Sequence, residues 1–230
     1  VKHLRGHWQL LLIIAIVFAL WNTPVVTPLK ILIVFMHEIS HALALWITGG
    51  EVLSISISPQ QGGMVMGRGG NRFVTLSSGY LGSLLLGVTV LLIALKSRFD
   101  HVLMGGLGVA TLLIAALYIR EWFALGFGVG LGILMLASAW FFSHRVNDLA
   151  LRVIGLTSMI YVPFDIFSDT IARAGLRSDA YMLAEEFGGA TVMWGGLWLA
   201  ISLGVVVVCL RYGLGAHSNI TFGRSVEPLQ

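Results

Sequence analysis

The sequence predicts an all-α polytopic membrane protein: a bundle of six to seven transmembrane helices with a small β-hairpin or sheet inserted after the second helix. Three observations carry this. Hydrophobic residues make up 57% of the 230 and charged residues only 11%, with a mean hydropathy of +0.90; a soluble domain of that length has no interior large enough for so much apolar surface. The apolar residues fall into runs close to the ~20 residues that a helix needs to cross a hydrocarbon core. Between the second and third runs the pattern changes to the two-residue alternation of a strand.

The runs lie at 8–21, 24–47, 76–95, 102–119, 122–142, 149–171 and 190–210. The first is the shortest, so the count is seven spans, or six if that segment lies in the interface. Lys2 and Arg5 precede it, as in a signal peptide, but no small-x-small cleavage site stands before Thr23-Pro24, and a retained first span is expected. The 14 Lys and Arg divide evenly between the two sides of a seven-span arrangement, so the positive-inside rule assigns no orientation. A net charge of +3 comes from basic residues scattered singly at run ends. That suits anchoring in the headgroups of a lipid bilayer and offers no nucleic-acid surface. Cys209 is the lone cysteine, which excludes an internal disulfide and a cysteine-based metal cluster.

In the insertion, Ser54-Ile55-Ser56-Ile57-Ser58 alternates, Pro59 to Gly63 reads as a turn, and Met64-Val65-Met66 and Phe73-Val74-Thr75-Leu76 follow as further short strands. A sheet edge here, with Ile55 and Ile57 as substrate-contacting positions, would hold a peptide extended. Gly79, Gly82 and Gly87 in the third run and Gly126, Gly128, Gly130 and Gly132 in the fifth are spaced for close helix packing. The expected organisation is one transmembrane domain over 1–212, with the β insertion at about 51–76, and a tail at 213–230.

Inside the second run stands His37-Glu38-Ile39-Ser40-His41. On a helix, histidines four residues apart project from one face, and the adjacent glutamate is placed to take a proton from a water activated by a zinc ion. Ionisable side chains are costly at membrane depth, so three in one turn point to function. A catalytic zinc needs a third protein ligand. The acids inside the later apolar runs are Asp165 and Asp169, one helical turn apart. Asp169 has Arg173 one turn on as an ion-pair partner, whereas Asp165 has no such partner in its own helix, which favours Asp165 as the ligand. Asp169 is then a neighbour that orients a ligand, or the ligand itself. Glu121, beside Arg120, reads as paired at a boundary, and His3, His7, His101, His144 and His217 sit at span ends or tails as interfacial residues.

With these residues assembled, the chain resembles the site-2 protease family of intramembrane zinc metallopeptidases, in its compact bacterial and plant branch. The resemblance covers about 30–202. It is carried by His37-Glu38-x-x-His41, Thr48-Gly49-Gly50, Gly62-Gly63, Gly79-Tyr80-Leu81-Gly82-Ser83, and Tyr161 to Asp169 leading into Ser178-Asp179-Ala180. It implies Zn2+ as cofactor, Glu38 as general base, a transmembrane protein as substrate, and regulated intramembrane proteolysis by a multi-pass protein, of the cell membrane if bacterial. Pro163-Phe164-Asp165 matches the family's Pro-x-Asp, and Asp165 inherits the third-ligand role from that match. The chain departs from the pattern at Ile166, where the family has Gly, and near Thr157-Ser158, where many members have Asn; it also has no PDZ-like insertion. A catalytically silent metal-binding scaffold would be expected to have lost Glu38. A metal or proton transporter would be expected to show paired repeats, and none is found.

Overall fold

The computed structural model describes residues 5–215 and 217–220. His3 and most of the 213–230 tail therefore lie outside the described residues. The element order is α1 (Trp8–Ala19), α2 (Thr27–Ile47), β1 (Glu51–Ile57), β2 (Gly63–Arg68), α3 (Arg72–Lys96), α4 (Asp100–Tyr118), α5 (Trp122–Phe141), α6 (His144–Ile166), α7 (Asp179–Phe187) and α8 (Thr191–Val208). The helix of α6 runs on through a π-helical segment, Phe167–Ala172, and that of α8 through another, Cys209–Gly213.

Six of these segments are long and apolar enough to span a bilayer, and the protein is a multi-pass membrane protein. The 12 residues of α1 rise only about 18 Å, too little for a hydrocarbon core of about 30 Å. Of the two counts the sequence allows, six is the one found.

α2 is the innermost span. Pro28 opens it, where a missing N–H costs nothing, and Gly49, at φ +83°, ends it by turning the chain into β1. The helix is buried along most of its length, including Lys30, Glu38 and His41. α3 packs against both α2 and α6, and α4 and α5 pack as a hairpin of helices beside them. Small residues permit these approaches: a Cβ at Gly82 would strike Ser40, one at Gly87 would strike Ser158, and Gly108 and Gly132 meet backbone to backbone. Gly126 and Gly130 have open space around them.

β1 and β2 form a two-stranded antiparallel hairpin, with Glu51 opposite Arg68 and Ile57 opposite Gly63. An irregularity between Val52 and Ser54 shifts the alternation, so that Val52, Ile55 and Ile57 all turn inward, at 5%, 1% and 2% exposure. β2 is largely exposed. The expected third strand at Phe73–Leu76 is instead the first turn of α3. Asn71 caps that helix, its side-chain oxygen accepting from the Val74 N–H at 3.1 Å, which settles the segment as helix despite its β-branched residues.

The span ends behave as polar anchors. His144 Nδ1 meets the buried Asp100 carboxylate at 2.8 Å and its ring lies beside that of His101. His7 Nδ1 lies 2.7 Å from the Ser218 hydroxyl. Arg120 donates to the carbonyls of Ala116, Leu117 and Ile119, capping α4 where the sequence suggested a pair with Glu121.

Candidate metal centre

The four-residue spacing in α2 brings His37 and His41 together with Nε2 atoms 2.9 Å apart and rings nearly perpendicular. A carboxylate oxygen completes a triangle. Asp179 Oδ2 stands 3.0 Å from His37 Nε2 and 3.1 Å from His41 Nε2. His41 Nδ1 lies 2.7 Å from the Thr75 carbonyl, which can only accept, so Nδ1 carries a proton and Nε2 is the nitrogen that faces the centre of the triangle and would ligate a metal. Donors on one tetrahedral zinc with bonds of about 2.0–2.1 Å stand about 3.3 Å apart, so a small outward spreading of the three groups would accommodate the ion. These three residues form a group able to hold a metal.

Asp179 reaches the site because of how α7 begins. Ser178 caps the helix, its hydroxyl oxygen accepting from the Tyr181 N–H at 3.3 Å, and this places Asp179 in the first turn with its carboxylate directed at the histidines. Burial alone would raise the Asp179 carboxyl. The imidazoles of His41 and His37 outweigh burial and hold it well below the usual carboxylate range.

Glu38 is buried beside the triangle, and its Oε2 has no hydrogen-bond partner among the described residues. Two glycines crowd this centre. A Cβ at Gly79 would run into Nε2 of both histidines, and one at Gly63, the first residue of β2, would run into the Glu38 carboxylate. The Tyr80 ring stands edge-on to His37 at 4.5 Å.

A cavity of about 530 Å³ opens over these groups. Its walls are Val34, His37, Glu38 and His41 of α2, Gln61 to Val65 at the tip and start of β2, Arg72, Thr75, Leu76 and Tyr80 of α3, Asp165 and Asp169, and Arg177 to Asp179 with Met182.

The residues named from sequence are distributed unequally around this site. His37, Glu38 and His41 are together. Asp165 lines the cavity but is not in the triangle; the third group at the histidine pair is Asp179. The reason is the path of the chain: Asp165 sits at the end of α6, after Pro163, whereas the chain leaves the π-helical segment, turns, and returns to the histidines only at α7. Asp169 is engaged elsewhere, by Arg173 on one oxygen and by the Tyr80 hydroxyl, which donates to Oδ2 at 3.3 Å. Ile55 and Ile57 are core residues of β1, so their side chains cannot be reached by a substrate; the strand bordering the cavity is β2. Thr157 and Ser158 are fully buried and donate to the carbonyls of Val153 and Ser83, away from the cavity. Asp179 lies outside the apolar runs in which the sequence pattern places a third ligand. The signals for it were the Ser-Asp helix start and its place in the Ser178-Asp179-Ala180 block of the resemblance.

The family model described as Peptidase M50B-like matches residues 10–209. The chain belongs to the peptidase M50B-like family. That match bears out the resemblance to site-2 proteases, and the matched region contains the histidine pair, Glu38 and Asp179 together. Membership in a membrane peptidase family implies membrane-protein substrates. Comparisons with curated proteins and with solved structures return no match.

Proposed function

We propose that this chain is an intramembrane zinc metalloprotease that hydrolyses peptide bonds of membrane-embedded proteins. The observation that carries the reading is the convergence of His37 Nε2, His41 Nε2 and Asp179 Oδ2 within 3.1 Å of one another beside Glu38, whose Oε2 has no hydrogen-bond partner among the described residues. Three protein ligands and a cavity on the fourth side is the arrangement of a hydrolytic zinc site, whereas structural sites are closed by four. When bound, zinc supplies Lewis acidity, activating a water and polarising the scissile carbonyl.

The protein groups do the remaining work. Glu38 accepts the proton of the attacking water and returns it to the departing amine. Thr75 holds His41 in the tautomer that ligates, and Asp179 balances the charge of the ion. Among the described residues β2 pairs with no strand but β1, which leaves its other edge to take an extended substrate segment by strand addition. Because Gly63 lies against Glu38, a segment added there would be delivered to the general base. The cavity supplies the polar surroundings that unwound backbone requires at membrane depth.

Glu38→Gln tests the reading. With a model transmembrane substrate and purified protein, the variant is expected to retain zinc and to lose cleavage by at least ~100-fold, the order of a general base's contribution. Cleavage at the wild-type rate would overturn the assignment of Glu38, and absence of cleavage by zinc-loaded wild type on every substrate tried would favour a silent scaffold.

A further inference from the structure

We propose that Asp165 is a specificity residue, whose carboxylate receives a lysine or arginine side chain of the substrate close to the bond being cut. The inference rests on the protease reading and adds to it the class of sequence preferred.

The two aspartates of this wall are one turn apart but differently employed. Asp169 is satisfied within the protein, by Arg173 and by the Tyr80 hydroxyl. Asp165 lines the cavity that holds His37, Glu38, His41 and Asp179; the Tyr161 hydroxyl interacts with its carboxyl, but among the described residues no cation is within ion-pairing distance of it, Arg177 of the same wall included. Lys30 is the candidate from α2, and its ammonium is instead seated over the Trp21 ring at 4.4 Å. Nor does Asp165 belong to the group able to hold a metal.

A carboxylate without an ion-pair partner at membrane depth is expensive, and such groups are found facing a partner or a pathway. Asp165 borders the cavity a substrate would enter, so the complementary charge is expected to arrive with the substrate. Val34, Met64, Val65 and Leu76 also line the cavity. They give an aliphatic stem something to pack on while its head reaches the carboxylate, as long basic side chains do elsewhere in membranes. A basic residue within a transmembrane segment is rare, so recognising one narrows the range of substrates.

The test uses full-length, zinc-loaded protein and a set of model transmembrane substrates that carry Lys or Met at one position, scanned across the cleavage region. Wild type is expected to show one position at which Lys raises kcat/KM roughly 10–100-fold over Met. In Asp165→Asn that ratio should fall to near one with zinc content unchanged, while Asp169→Asn keeps the ratio. Affinity of the same peptides for the Glu38→Gln protein gives a readout independent of turnover: Lys-dependent binding without cleavage by wild type would sustain the role of Asp165 and sink the protease reading. Equal handling of Lys and Met at every position, persistence of the preference in Asp165→Asn, or loss of zinc from that variant would each overturn the proposal.

Discussion

Gly79→Ala should damage the metal centre without touching a ligand. The substitution adds one methyl group to α3, where a Cβ would lie 2.5 Å from His41 Nε2 and closer still to His37 Nε2. Ordinary contact begins near 3.4 Å, so the rings must retreat by about 0.9 Å, or α3 must move away from α2 by a similar amount. Metal sites tolerate bond-length departures of only about 0.2 Å. The displacement is several times that, and it strikes both nitrogens at once; zinc affinity should fall by at least ~10–100-fold, the range typical for losing a supporting contact. Helix propensity works in the opposite direction, since Ala is favoured over Gly by about 1 kcal/mol in a helix interior. A loss of zinc therefore cannot come from a weakened helix. Chelator competition on the solubilised protein measures the affinity, with Gly130→Ala as the control because no atom lies within 4 Å of its added methyl. Wild-type zinc affinity in Gly79→Ala would refute the packing of Gly79 against the ligand pair and, with it, the ligand geometry.

Further expectations concern the groups around that centre. Gly63→Ala should retain zinc and lose cleavage, because its methyl group displaces the Glu38 carboxylate and leaves the histidines alone; zinc content and turnover measured together check this. Ile55→Ala should cost about 2–5 kcal/mol of stability, as for a buried aliphatic side chain, and leave the substrate KM of the folded fraction unchanged; a raised KM at wild-type stability would return Ile55 to the substrate surface. Asn147→Ala should cost about 1–3 kcal/mol in thermal denaturation, because its buried amide joins α5 to α6 through the Ser138 hydroxyl and the carbonyls of Ser138, Phe142 and Ser143. Arg72→Ala, which removes an exposed pair with Glu186, should change stability by less than about 1 kcal/mol.

Much of the membrane architecture was legible because the bilayer imposes it: length and apolarity alone define a span, and the structure has the six that its long runs predict. The histidine pair was legible for a similar reason, since four residues along a helix fix a geometry whatever surrounds it. The hairpin was legible from alternation, but its inward face was not. The shift near Leu53 and the packing of β1 on α2 turn Ile55 and Ile57 into core, and a local pattern cannot tell a core face from a substrate face. Asp179 was hidden by distance, 142 residues from His37, and by its place in a short helix beyond the spans. Asp165 reads as the better ligand because it stands in an apolar run with no cation one turn away, and among the described residues it makes no ion pair. That reflects a carboxylate facing the cavity, one π-helical segment and one turn short of the metal site.

The central claim is that His37, His41 and Asp179 hold one zinc ion. Metal analysis of Asp179→Ala beside Asp165→Ala, each purified as full-length protein, tests it most directly. The account predicts about one zinc per chain in Asp165→Ala and little or none in Asp179→Ala, since the second variant removes one of three protein ligands. Full zinc in Asp179→Ala together with its loss from Asp165→Ala would contradict the account and transfer the third ligand to α6.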